Sequence, residues 1–178
     1  MSLKREQSRS TSERELINNV IAEVLSRTHT TLSLPVYYTT SSLAAYTDSS
    51  DRILLKTSEL SGSEFGRYSY YSVGKTRKGD ITVLFFLLRK NSTPDIEVDL
   101  MVATVGRDGG VRSARSVAPF QRAVTGKRIN SEVEVSKDLR IVSRIHDTGN
   151  DVVASASVEY RDFHVRADGR IIEPPFED

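Results

Sequence analysis

The chain predicts an α+β, strand-rich fold in which one N-terminal amphipathic helix packs on an antiparallel β-sheet or β-sandwich. Three observations carry that expectation. One early segment keeps a helical period over several turns, and from Gly66 onward strand-like segments alternate with turn residues. At 178 residues the chain is long enough to bury a core yet short for two ordinary domains.

The helix comes first. Leu16, Ile17, Val20, Ile21, Val24 and Leu25 recur at the 3.6-residue period, with Glu13, Arg14, Asn18 and Glu23 mostly on the other face. Ser12 and Glu15 have the spacing of a capping box, in which each side chain accepts an amide that the first turn leaves unpaired. Residues 1–11 are polar, basic and rich in serine, so they are expected to form a disordered tail ahead of a single globular domain at 12–178. The stretch Thr28 to Ser50 has no sustained period; Leu34 to Thr40 suits a short strand and Leu43 to Tyr46 a helical turn. Arg52 to Lys56 suits a further strand.

Strands then dominate. Arg67 to Val73 is expected to end in a turn over Gly74 to Gly79, followed by Asp80 to Lys90 and a turn over Asn91 to Pro94. Residues 95–105 alternate, with Asp95, Glu97 and Asp99 on one side and Ile96, Val98 and Leu100 on the other. Gly106 to Gly110 has hairpin chemistry and leads into Val111 to Val117, after which Pro119 to Lys127 reads as a loop or short helix. Glu132 to Val135 and Leu139 to His146 resume strand character, and Thr148 to Asn150 marks another turn. Val152, Ala154, Ala156, Val158 and Tyr160 share one face of the next strand, and an Asp168-Gly169 turn precedes Ile171 and Ile172.

Composition narrows the chemistry. With no cysteine there is no disulfide, thiolate metal site or cysteine nucleophile. The first residues lack the apolar core of a secretory signal, so an intracellular location is expected unless a leader has been removed. The longest apolar run, Ile81 to Leu88, is too short to cross a bilayer as a helix, and no transmembrane segment is expected.

No motif marks an active site. Val73-Gly74-Lys75-Thr76 looks like the end of a phosphate-binding loop, but Ser69 stands where that loop needs its first glycine and the context is strand. His146 and His164 would meet only if their strands paired in a suitable register, and neither has metal-ligand spacing. Carboxylates at Asp95, Glu97 and Asp99 stand about 6 to 7 Å apart along a strand, too far for one cation to gather all three. Neither metal nor cofactor is therefore expected, and no catalytic residue is assigned.

The net charge of +1 hides a basic centre. Arg67, Lys75, Arg77, Lys78, Arg107, Arg112, Arg115, Arg122, Lys127 and Arg128 form the candidate anion-binding set, with Tyr68 and Tyr70, on one strand face, as candidates for stacking on bases. The expected function is a non-enzymatic assembly or binding protein whose basic surface meets nucleic acid, anionic membrane or an acidic partner, with self-association, as in small viral matrix, coat or movement proteins. One alternative is a secreted or periplasmic bacterial module that encloses a small apolar ligand between helix and curved sheet, lined by Tyr70, Phe85, Phe86 and Tyr160. Another is an enzyme with a histidine base in a sheet cavity.

Overall fold

The run Ile81 to Leu88 is apolar at every position except Thr82, so a strand built from it has to be covered on both faces. The computed structural model, which describes residues 15, 17–47, 52–53, 68–90, 96–124, 127–148 and 157–174, supplies both covers. Helix α1 holds residues 17–27 and is followed by β1 (Val36–Thr39), α2 (Thr40–Thr47) and β2 (Arg52–Ile53). The rest is a run of strands: β3 (Tyr68–Lys78), β4 (Ile81–Lys90), β5 (Ile96–Val105), β6 (Val111–Val124), β7 (Lys127–Val135), β8 (Arg140–Thr148), β9 (Ser157–Val165) and β10 (Ile171–Ile172).

From β3 to β10 each strand pairs antiparallel with the next, and β2 adds to the far side of β3. Alternation along β4 divides two cores. Val83, Phe85 and Leu87 join Leu100, Val102, Val133, Ile141, Phe163 and Val165 in an inner core shared by both halves of the meander. Leu84 and Phe86 face the other way, into an outer core with Tyr70, Ala103 and Val105, beneath Val20, Ile21 and Val24 of α1. The fold is thus the expected α+β arrangement with the helix docked on the sheet.

The inner core closes because the sheet folds over at β6. Only Gln121 to Val124 of β6 pair with β7, at Lys127 to Asn130. Where β6 leaves β7, β1 takes its place, with Val36 opposite Val135 and Thr39 opposite Glu132. Backbone groups at the fork are met by hydroxyls. Thr40 Oγ1 donates to Phe120 O at 3.3 Å and accepts from Ser131 N at 3.1 Å, while Ser131 Oγ donates to Pro119 O.

At the other end of the strands the halves are tied directly. Lys78 Nζ donates to Asp138 O at 2.9 Å and Val165 O at 2.6 Å, and buried Thr104 Oγ1 donates to Gly169 O. Gly169 has φ 86°, and a Cβ there would fall 2.9 Å from both Cβ and Cγ of Arg112, so glycine is needed for conformation and for room.

The C-terminal end of α1 is fixed by residues 28–32. Buried Thr28 donates from Oγ1 to Val24 O at 2.7 Å and accepts from Ser72 Oγ at 2.8 Å, tying the helix end to β3. Leu32 N donates to Lys75 O, and Lys75 N donates to Thr30 O, so residues 30–32 lie along the β3 edge.

Two segments depart from the sequence expectation. Gly74 to Gly79 is not a turn: β3 runs on to Lys78, because the register slips between Ser72 and Gly74 and Leu32 packs where a Gly74 side chain would be. Pro119 to Val124 is neither loop nor helix. β6 continues through Pro119 to Val124, and the two register shifts against β5 that flank the proline, at Val98/Asp99 and Leu100/Met101, accommodate it. The capping residue Ser12, the tail 1–11, residues 54–67 and the 149–156 connection lie outside the described residues.

Candidate functional site: a cationic turn end and an apolar groove

A meander returns every second connection to the same end. Here that end carries Gly79-Asp80, Gly106 to Gly110, Ser136 to Leu139 and Arg166 to Arg170, each closing an antiparallel pair. Three of these turns are shaped by an aspartate. Asp108 accepts from Gly110 N at 3.0 Å, Asp168 accepts from Arg170 N at 3.0 Å, and Ser136 Oγ donates to Asp138. Those hydrogen bonds hold all three carboxyls below the ordinary carboxylate range.

Some cations at this end are committed. Arg112 pairs with Asp108 at 2.8 Å, Arg170 with Asp168 at 2.7 Å and Arg140 with Asp162 at 2.6 Å, while Lys78 serves the backbone carbonyls. Arg77, Arg107, Lys137 and Arg166 are exposed and make no ion pair among the described residues. Arg77 and Arg107 belong to the candidate set; Lys137 and Arg166 stand outside the basic centre in sequence and join it only through the topology.

The other candidate positions scatter. Lys75 is half-buried on β3 beside residues 30–32, and Arg128 is exposed on β7. Arg115 lines a polar cleft of about 460 Å³ between β6 and β9 with Glu159, Arg161 and Glu173. Arg122 and Lys127 are placed by their strand positions only, and Arg67 lies outside the described residues. Tyr70 is 2% exposed, covered by α1, and so presents no ring for a base to stack on; Tyr68, on the same face, is half-buried.

The expected lining of a ligand cavity is divided by the sheet. Tyr70 and Phe86 lie under α1, whereas Phe85 is in the inner core and Tyr160 is 50% exposed on β9. Between helix and sheet is a groove of about 270 Å³. Ile17, Val20 and Ile21 form its roof, and Tyr68, Tyr70, Phe86, Leu88, Met101 and Ala114 its floor. The Tyr70 hydroxyl is buried with no hydrogen-bond partner among the described residues. Burial pushes its pKa up to about 12, helped by nearby Tyr68.

The histidines do not converge. His146 stands opposite Val158, and His164 opposite Arg140, which separates them by about 20 Å along the paired strands. Each faces a carboxylate instead: His146 Nε2 is 3.9 Å from Glu132, and His164 Nε2 is 3.2 Å from Asp162. Arg144 bridges Glu132 at 2.9 Å and lies 5.6 Å over the Tyr160 ring, completing a ladder across β7, β8 and β9. Among the described residues no group of three acidic or histidine side chains is arranged to hold a metal ion, and no helix is long and apolar enough to cross a membrane. Glu97 pairs with Lys90 at 3.8 Å on a strand flanked on both sides by β4 and β6.

No family model matches the chain, and no curated protein or solved structure is significantly similar to it.

Proposed function

We propose that this protein is a non-enzymatic binding and assembly protein that sets its turn end on a phosphate-rich anionic membrane surface. The observation that supports this is the gathering of four exposed cations, Arg77 near the end of β3 and Arg107, Lys137 and Arg166 in three separate turns, at one end of the sheet, none in an ion pair among the described residues. Charge contacts of this kind need no strict register, which suits side chains carried on separate hairpins. Single-stranded nucleic acid is less well matched, because Tyr70 is buried and Tyr68 lies near Lys90, at the opposite end of β3.

Magnitude favours assembly. A lysine or arginine near an anionic leaflet contributes about 1 kcal/mol, so four contribute about 4 kcal/mol and hold a single copy only near millimolar. Useful retention therefore calls for several copies acting together, since linked contacts raise avidity without new chemistry.

Co-sedimentation with phosphatidylserine-containing vesicles across a salt titration tests this, with neutral vesicles and duplex DNA as parallel arms. Binding to the anionic vesicles at low salt, lost as salt rises and lost in the Arg77→Glu, Arg107→Glu, Lys137→Glu, Arg166→Glu variant, is the expected result. Binding to duplex DNA alone would move the reading to nucleic-acid phosphates. No binding in any arm would overturn it.

A further inference from the structure

Strand β9 has one edge that the described residues leave open. β8 pairs along β9 from Ser157, opposite Asp147, to His164, opposite Arg140, whereas β10 covers the other edge only at His164 and Val165. Pro174, which has no amide to give, cannot extend that second pairing. Ser157, Val158, Glu159 and Tyr160 are all exposed, on both faces of the strand, with Val158 at 43% and Tyr160 at 50%.

The hydrogen-bond phase decides what this edge offers. Val165 N donates to Leu139 O, so alternation makes the odd-numbered residues of β9 the ones bonded to β8. Val158, Tyr160 and Asp162 therefore turn their N–H and C=O groups to the open side, with no backbone partner there among the described residues. Edges that are protected from pairing carry a proline, a bulge or inward-pointing charge. β9 has no proline and no register shift against β8, and the two charges on its Phe163 face, Glu159 and Arg161, have opposite signs and already pair at 2.6 Å.

From these observations we infer that β9 pairs antiparallel with β9 of a second copy of this chain, Tyr160 opposite Tyr160 about a two-fold axis. This deepens the assembly part of the proposed function and rests on that part, not on the membrane. Charge and phase select both occupant and register. Hydrogen bonding requires even-numbered residues to face even-numbered ones, and centring on Tyr160 meets this while setting Glu159 opposite Arg161 of the second copy, twice over by symmetry. Moving the centre by one residue sets Glu159 against Glu159 or Arg161 against Arg161, and like charges directly opposite are destabilising. The same register spans the open edge, since Ser157 meets Phe163 and the next residue, His164, is already paired with β10. Because the strands run antiparallel, the two cationic turn ends point in opposite directions, so a dimer offers one end to each of two apposed anionic surfaces.

The test is made in solution, without vesicles. Sedimentation velocity of the full chain up to about 1 mM should show a concentration-dependent dimer, as suits a weak contact of one strand per copy. Arg161→Glu places a like charge against Glu159 at both symmetric positions and should weaken the dimer at least about tenfold, and adding Glu159→Arg should restore it. Cysteine reads the register, because the chain has none of its own. Under mild oxidation Tyr160→Cys should form a disulfide-linked dimer, the paired Cα atoms being about 5.5 Å apart. Val158→Cys should not, because the two copies of residue 158 stand about 13 Å apart along the strands. A protein that stays monomeric at about 1 mM would overturn a second copy as the occupant and leave the edge to an extended segment of another protein. A dimer that persists in Arg161→Glu, or equal cross-linking of both cysteine variants, would overturn the interface. Vesicle binding by a strict monomer would overturn this inference alone, and a dimer without vesicle binding would overturn the membrane reading alone.

Discussion

Tyr70 shows how one residue can take opposite roles in sequence and in space. Among basic residues it suggests a stacking platform, and its shared face with Tyr68 is legible from strand alternation alone. What the alternation cannot tell is which cover that face receives, and α1 makes it core. The buried phenol has a consequence for pH. Its folded pKa of about 12 lies above the unfolded value near 10, and burial raises Tyr38 as well. By linkage, a raised folded pKa gives stability that is complete below pH 10 and lost as pH rises through 12. Tyr70→Phe should accordingly flatten the fall in urea midpoint between pH 10 and 12 relative to wild type. An identical fall in both proteins would show that Tyr70 ionises freely when folded.

At the scale of elements, α1 is legible because six apolar residues repeat in step and its partner needs only to be a sheet. Val24 is fully buried over the outer core. Val24→Asp should cost more than about 3 kcal/mol, since an unpaired carboxylate would be placed there, and should release the helix. Urea denaturation measures the loss, and an unchanged midpoint would show that α1 is dispensable to the fold. Strand lengths are less legible. Gly74 and Pro119 look like stops by local chemistry, yet both sit inside strands whose register slips accommodate them. In each case tertiary packing outweighs local preference: Leu32 fills the space left by Gly74, and Ser131 satisfies the Pro119 carbonyl. The candidate cations are legible as residue types, but their grouping depends on which turns share an end.

For the molecule as a whole, strand content and alternation announce a sheet, while its curl rests on contacts between distant residues that no local pattern encodes. Lys78 reaches carbonyls 60 and 87 positions away, and Thr104 one 65 positions away. Lys78→Met keeps the aliphatic stem and removes both charge-assisted bonds, with an expected loss of about 2 to 4 kcal/mol. Amide exchange should rise first around Asp138 and Val165, where the two halves meet; uniform exchange with an unchanged urea midpoint would show that this lysine does not tie them. The pairing of Val36 to Thr39 with Glu132 to Val135 has a different kind of consequence, one of time. During synthesis the first third of the chain leaves the ribosome early, carrying the α1 stripe and β1, but the strand that β1 must join is made nearly a hundred residues later. The nascent chain therefore holds a sticky, unplaced β1 until β7 emerges.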